Sequence, residues 1–201
     1  VNSPEELNLR HFHFLAHGLD VNPLMLAIRR QPGLWQEDTF LRHYPQGPFG
    51  QTETIMIRFP EKVEGLTEEQ IDAYKQNQLA GYDQYEAVNY PALEKLPEAR
   101  KLIFDLMARV NGERLGRVMI NKVCPGGRIF PHADTPEQTR YYTRFHIVLH
   151  GLPGATLRCD DEQVNMNTGD CFWFANDKEH EVVNNSADDR VSMVVDIRLP
   201  R

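Results

Sequence analysis

The stretch FPHADTP places His132 and Asp134 two residues apart, and HEVVNN begins with a further histidine, His180. Side chains two apart share one face of an extended strand, so this imidazole and this carboxylate point the same way if the strand continues through both. Two imidazoles and one carboxylate are the donor set of a facial triad. Such a triad holds a metal such as iron(II) by three positions and leaves others open for a co-substrate and O₂. An HxD pair alone is common by chance, and a lone histidine is more often a satisfied structural residue. The pair gains weight from its company.

The strand-like run YYTRFHIVLH alternates cleanly. Tyr142, Arg144, His146, Val148 and His150 share one face, and Thr143, Phe145, Ile147 and Leu149 share the other. The second face suits sheet packing, whereas the first is too polar for a core and strongly basic. Ten residues beyond His180, across the turn NNSADD, stands Arg190, with Ser192 on the same strand face. A hairpin returns Arg190 beside the His180 strand, and a guanidinium fork matches a carboxylate bidentately. Taken singly, Arg190 reads as a hairpin-end charge and Arg144 as a cross-strand ion-pair partner. His150, beside Gly151, reads as structural or edge-exposed and is left out of the site.

These residues need a scaffold. From residue 117 onward short runs follow one another between turn residues: RVMINKV, RIFPHA, YYTRFHIVLH, ATLRC, EQVNM, DCFWFA, HEVVNN and RVSMVVDIR. Eight strands at such spacing predict a barrel or double-sheet jelly roll. The first half is mixed. NPLMLAIRR predicts a short helix with Pro23 in its first turn, and TETIMIRF predicts a strand with Ile55, Ile57 and Phe59 on one face. LTEEQIDAYKQNQL carries the capping pair Thr67 and Gln70. PALEKLPEARKLIFDLMARVNG reads as one helix stopped at Asn111-Gly112. The expected layout is α+β in a single domain spanning 1–201. Residues 1–114 form helix-rich support and substrate wall, and 115–198 form the jelly-roll core with the metal site.

Composition narrows the partners. The 201-residue chain has 41% hydrophobic and 25% charged residues, ordinary values for a globular protein. A net charge of -7 argues against nucleic acid, whose phosphates require clustered Lys and Arg. No apolar run reaches the ~18 residues of a membrane span, and the first residues lack the pattern of a signal peptide. Cys124, Cys159 and Cys171 form no CxxC pair, which disfavours a thiolate zinc site and suggests a reducing cytoplasm.

From about residue 115 to 198 the sequence resembles the aspartyl/asparaginyl β-hydroxylase family of iron(II)/2-oxoglutarate-dependent oxygenases. The matching segments are PGGRIFPHADT, RFHIVLHG, GDCFWFANDKEHEVVNNS and the arginine of DDRVSMVVDIR. The resemblance implies a double-stranded β-helix, cupin-like in form, with iron(II) on His132, Asp134 and His180. It also implies that Arg190 binds the distal carboxylate of 2-oxoglutarate, with Arg144 and His146 assisting; Ser192 would add its hydroxyl. Members acting on epidermal-growth-factor-like domains lack the carboxylate ligand. Asp134 therefore makes this chain more similar to the bacterial members and the related proline hydroxylases.

The expected activity is hydroxylation of an unactivated C–H of an amino acid, peptide side chain or related small substrate, with release of succinate and CO₂. A cupin-like metal-dependent isomerase or binding protein is the alternative, although cupins usually add a Glu after the first ligand pair. The nearest candidate here, Glu137, follows Pro136 in an expected turn. A jelly-roll binding domain without metal is the third reading. The stretch RHYPQGPFGQTETIMIRF, residues 42–59, is expected to supply the substrate wall.

Overall fold

The computed structural model describes residue 3, residues 5–43 and residues 47–200. Residues 44–46 of the expected substrate wall lie outside the described residues. The chain begins with strand β1 (Phe12–Ala16), helices α1 (Asn22–Arg29) and α2 (Leu34–Glu37), strand β2 (Glu53–Phe59), helix α3 (Glu68–Lys75) and the short β3 (Val88–Asn89). Helices α4 (Ala92–Lys95) and α5 (Ala99–Arg109) follow. Then come β4 (Arg114–Val123), β5 (Arg128–His132) and helix α6 (Pro136–Tyr141). The chain closes with β6 (Thr143–His150), β7 (Ala155–Cys159), β8 (Glu162–Asn165), β9 (Cys171–Phe174), β10 (His180–Asn184) and β11 (Arg190–Arg198).

The strands form two antiparallel sheets, ordered β1-β9-β6-β11-β4-β2-β3 and β5-β10-β7-β8. They face each other as a jelly roll, the expected α+β fold. Alternation along β6 sets the layers. Phe145, Ile147 and Leu149 pack outward with Leu24, Ile28, Leu102, Ile103 and Leu106 of α1 and α5. Val148 packs inward with Ile129, Leu157, Phe172, Phe174 and Val182 between the sheets. Each fully buried side chain of this kind contributes about 1.5–3 kcal/mol, so the helices from the first half hold the larger sheet rigid behind the site.

Four expectations need correction. The helix read over 91–112 is two helices, because Pro97 lacks an amide donor and drives Leu96 out of the helical region, to φ -126 and ψ 61. The run from Tyr141 starts its strand only at Thr143; before it, Pro136 opens α6, which takes Glu137 into a helix rather than a turn. The large sheet is not confined to 115–198, since β1 pairs with β9 and β2 with β4. Phe59 does not share a face with Ile55 and Ile57. The β2–β4 register shifts between Met56 and Arg58, and this irregularity turns Phe59 toward Met56, Met119 and Val194. The capping box of Thr67 and Gln70 forms as expected.

Candidate active site

The edge strand β5 carries His132 and its neighbour β10 carries His180. The two residues are direct cross-strand partners, with ring centroids 4.3 Å apart. Pro131 donates no amide hydrogen bond, which an edge strand tolerates, and the β5–β10 register shifts just beyond the histidine pair. The chain then turns away from the sheet, and the Asp134 amide donates to the Asn176 carbonyl at 2.9 Å. This bond ties the ligand loop to the end of β9. One ligand atom from each of His132, Asp134 and His180 lies within 4.8 Å of the others.

Local hydrogen bonds choose the ligand atoms. His132 Nδ1 is 2.8 Å from the Phe130 carbonyl and His180 Nδ1 is 2.9 Å from the Lys178 carbonyl. A carbonyl only accepts, so each Nδ1 carries the proton and each Nε2 presents a lone pair. Burial, reinforced by the neighbouring His132, lowers the His180 imidazole to about 4, so it is neutral and ready to ligate near pH 7.

Asp134 is held on its other side. Its Oδ2 accepts from Arg144 and from the Asn176 amide, both at 2.7 Å. Burial alone would raise this carboxyl; the Arg144 guanidinium and the Asn176 bond outweigh it and keep the group below its ordinary range. Arg144 in turn reaches Asp196 with Nε at 2.7 Å and a terminal nitrogen at 2.9 Å. Asp196 is its cross-strand partner on β11. With Oδ2 engaged, Oδ1 faces the histidines, 3.9 Å from His132 Nε2.

Deeper in the roll, Arg190 is completely buried. Its Nε lies 3.2 Å from Met166 Sδ, and among the described residues both terminal nitrogens lack a hydrogen-bond partner. Burial lowers its pKa to about 9. Ser192 and His146 lie nearby, joined by a 3.1 Å contact between Oγ and Nδ1. Burial, with the Arg190 charge added, pushes His146 well below the ordinary histidine value, so it is neutral. Its ring stacks at 10° on Phe172. A cavity lined by Phe49, Met119, Asn121, Arg144, His146 and His180 opens between the sheets at this level.

The fold thus brings together all seven residues singled out in the sequence, while His150 pairs outside the site with Asp188. Arg144 is the cross-strand ion-pair partner of Asp196 and also bonds Asp134. Asn176, Met166 and Asp196 escaped sequence reasoning. Only Asp196 left a signal there, as a lone acid within the apolar run VSMVVDI.

A family model described as aspartyl/asparaginyl β-hydroxylase matches residues 55–200. No curated protein matches the chain by sequence. Among solved structures, a 2OG-Fe(II) oxygenase family oxidoreductase from Burkholderia pseudomallei superimposes with a TM-score of 0.57 at 15% identity, over 96% of this chain and 87% of that one. The 2OG complex of a viral collagen prolyl hydroxylase from Paramecium Bursaria Chlorella virus-1 gives a TM-score of 0.50 at 9% identity, covering 96% and 97%. At these identities the likeness concerns the fold.

Proposed function

The chain belongs to the aspartyl/asparaginyl β-hydroxylase family and is a hydroxylating dioxygenase using iron(II), 2-oxoglutarate and O₂; on that premise we propose how its residues divide the work. His132, Asp134 and His180 hold iron, and Arg190 grips the far carboxylate of 2-oxoglutarate with Ser192 and His146 beside it. The donor set fits, because two imidazoles and one carboxylate suit iron(II) and leave positions free. The anchor fits because a buried guanidinium without an anion is costly, and a bidentate carboxylate supplies what its two terminal nitrogens lack.

When bound, the iron and 2-oxoglutarate together activate O₂ for attack on an unactivated C–H, with succinate and CO₂ as co-products. The chain orients and shields. Arg144, held by Asp196 and bonded to Asp134, acts as a positioning residue that presents Oδ1 of Asp134 to the metal. His146, neutral, adds no charge to compete with the incoming carboxylate. Phe172 and Phe174, both fully buried, pack on His146 and keep water from it.

Residues 1–201 act as one domain whose first half supplies part of the substrate wall. Phe49 supports this reading, since its ring stands edge-on to His132 at 5.3 Å. The substrate is a small molecule or a peptide. Among the described residues no helix is long and apolar enough to cross a membrane. The free cysteines support a cytoplasmic location.

The observation that carries this assignment is the unpartnered Arg190 fork in the same roll as the His-Asp-His cluster. Titration of 2-oxoglutarate into the anaerobic iron(II) protein checks it through the metal-to-ligand absorption band. Saturable growth of that band is expected; its absence at millimolar 2-oxoglutarate would overturn the assignment.

A further inference from the structure

A second cavity, of about 990 Å³, lies beside the roll. Its walls are largely apolar: Phe40, Phe59, Val63, Leu66, Ile71 and Tyr74. Small-molecule sites run from roughly 300 to 1,000 Å³, so this groove has room for far more than a free amino acid. One wall is α3, which is exposed along most of its length. Two helical turns are too few to hold themselves in water. The helix is capped at Thr67, yet its residues Ile71 and Tyr74 face the groove.

The single arginine among the groove's described lining residues is Arg117. Strand β4 carries it next to the register shift opposite Asp196, where β11 and β4 slip between Val195 and Ile197. Such irregularities re-aim side chains near sites. Arg117 Nε is buried and has no hydrogen-bond partner among the described residues, and the guanidinium lies over the Phe59 ring, 5.0 Å from its centroid. Met119 and Asn121, two and four residues along the same strand, line the metal cavity. Asp196, Arg144 and Asp134 all act electrostatically on Arg117. The groove's own acids are answered elsewhere or stand in water: Asp38 pairs with Lys62 at 2.7 Å and Glu37 with Lys95 at 2.6 Å, while Glu61 and Glu64 are exposed.

We propose that this groove is the substrate site and that it selects an apolar carboxylate, whose head pairs with Arg117 and whose chain lies along Phe40, Phe59 and α3. The proposal rests on the dioxygenase reading above and names its substrate class. A carboxylate supplies the acceptor that Arg117 lacks, and an apolar chain covers the surface that α3 leaves uncovered. The shared chemistry fits a free fatty acid and equally an acylated amino acid, in which the carboxylate belongs to the amino acid.

Binding decides it. Decanoate, N-octanoylglycine and the neutral decanol are titrated separately into metal-free protein and into the anaerobic iron(II)–2-oxoglutarate form, following heat of binding. Either carboxylate is expected to bind at least 10-fold more tightly than decanol, and the tighter of the two identifies the source. Arg117→Met should erase that discrimination, Arg117→Lys should restore part of it, and the 2-oxoglutarate absorption band should persist in both. Ile71→Asp, on an exposed turn of α3, should weaken both carboxylates about 10-fold with the fold intact. Equal binding of decanol and the carboxylates, or unchanged discrimination in Arg117→Met, would overturn the proposal. Loss of the 2-oxoglutarate band in the wild-type protein would instead strike the dioxygenase assignment, because carboxylate selection is read separately in the metal-free form.

Discussion

His132 and His180 face each other as direct partners across β5 and β10, each with its Nδ1 tied to the carbonyl two residues before it. The sheet itself therefore sets the distance between these two imidazoles, and the backbone sets which nitrogen each one leaves free. His132→Ala or His180→Ala should abolish stoichiometric iron binding and turnover while leaving the circular dichroism spectrum unchanged. Full iron occupancy by metal analysis in either variant would remove that residue from the ligand set.

Removing the charge of Arg190 should leave the iron in place and weaken 2-oxoglutarate. Breaking a buried, hydrogen-bonded ion pair costs roughly 3–5 kcal/mol, a loss of about 10²-fold or more in affinity. Arg190→Met is expected to show that loss in an anaerobic titration. Arg190→Lys should recover only part of it, because an ammonium keeps the charge and loses the fork. Unchanged affinity in Arg190→Met would move the anchor elsewhere.

Asp196 engages the guanidinium that bonds Asp134. Asp196→Asn should leave Arg144 free to pull on Asp134 alone. Loss of such an outer partner typically costs about 10–100-fold in metal affinity. Iron(II) titration should show a drop of that order, with the 2-oxoglutarate constant at saturating iron much less affected. Equal loss in both constants would indicate general collapse of the roll rather than a misplaced carboxylate.

The metal-free protein should lose stability in mild acid. His180 is lowered to about 4, from an ordinary value of 6.5, by burial and then by His132. The unfolded chain therefore takes up this proton first as pH falls. The associated stability is full above about pH 6.5 and disappears progressively down to about pH 4, a change of about 3 kcal/mol. Urea unfolding of the metal-free protein at pH 7 and pH 4.5 measures it. His180→Gln should flatten the dependence over this interval, and an identical slope in the variant would exclude His180 as its source.

The chemistry of the site was legible in the sequence because it is carried by residue type and by the two-residue period of strands. The β6 alternation separates Arg144 and His146 from Phe145 and Ile147 whatever lies on either side, whereas β5 ends at His132 and Asp134 is brought in by the turn that follows, tied to Asn176. The eight strands of the roll showed through their turn residues for the same local reason. Pairing across sheets is not local. That His180 meets His132, that Asp196 occupies Arg144, and that Met166 faces Arg190 depend on register between strands distant in the chain. Register is decided by which apolar faces bury together. The displaced face of Phe59 and the re-aimed Arg117 follow from register shifts that no periodicity announces. They lie where β2, β4 and β11 stay paired across an irregularity.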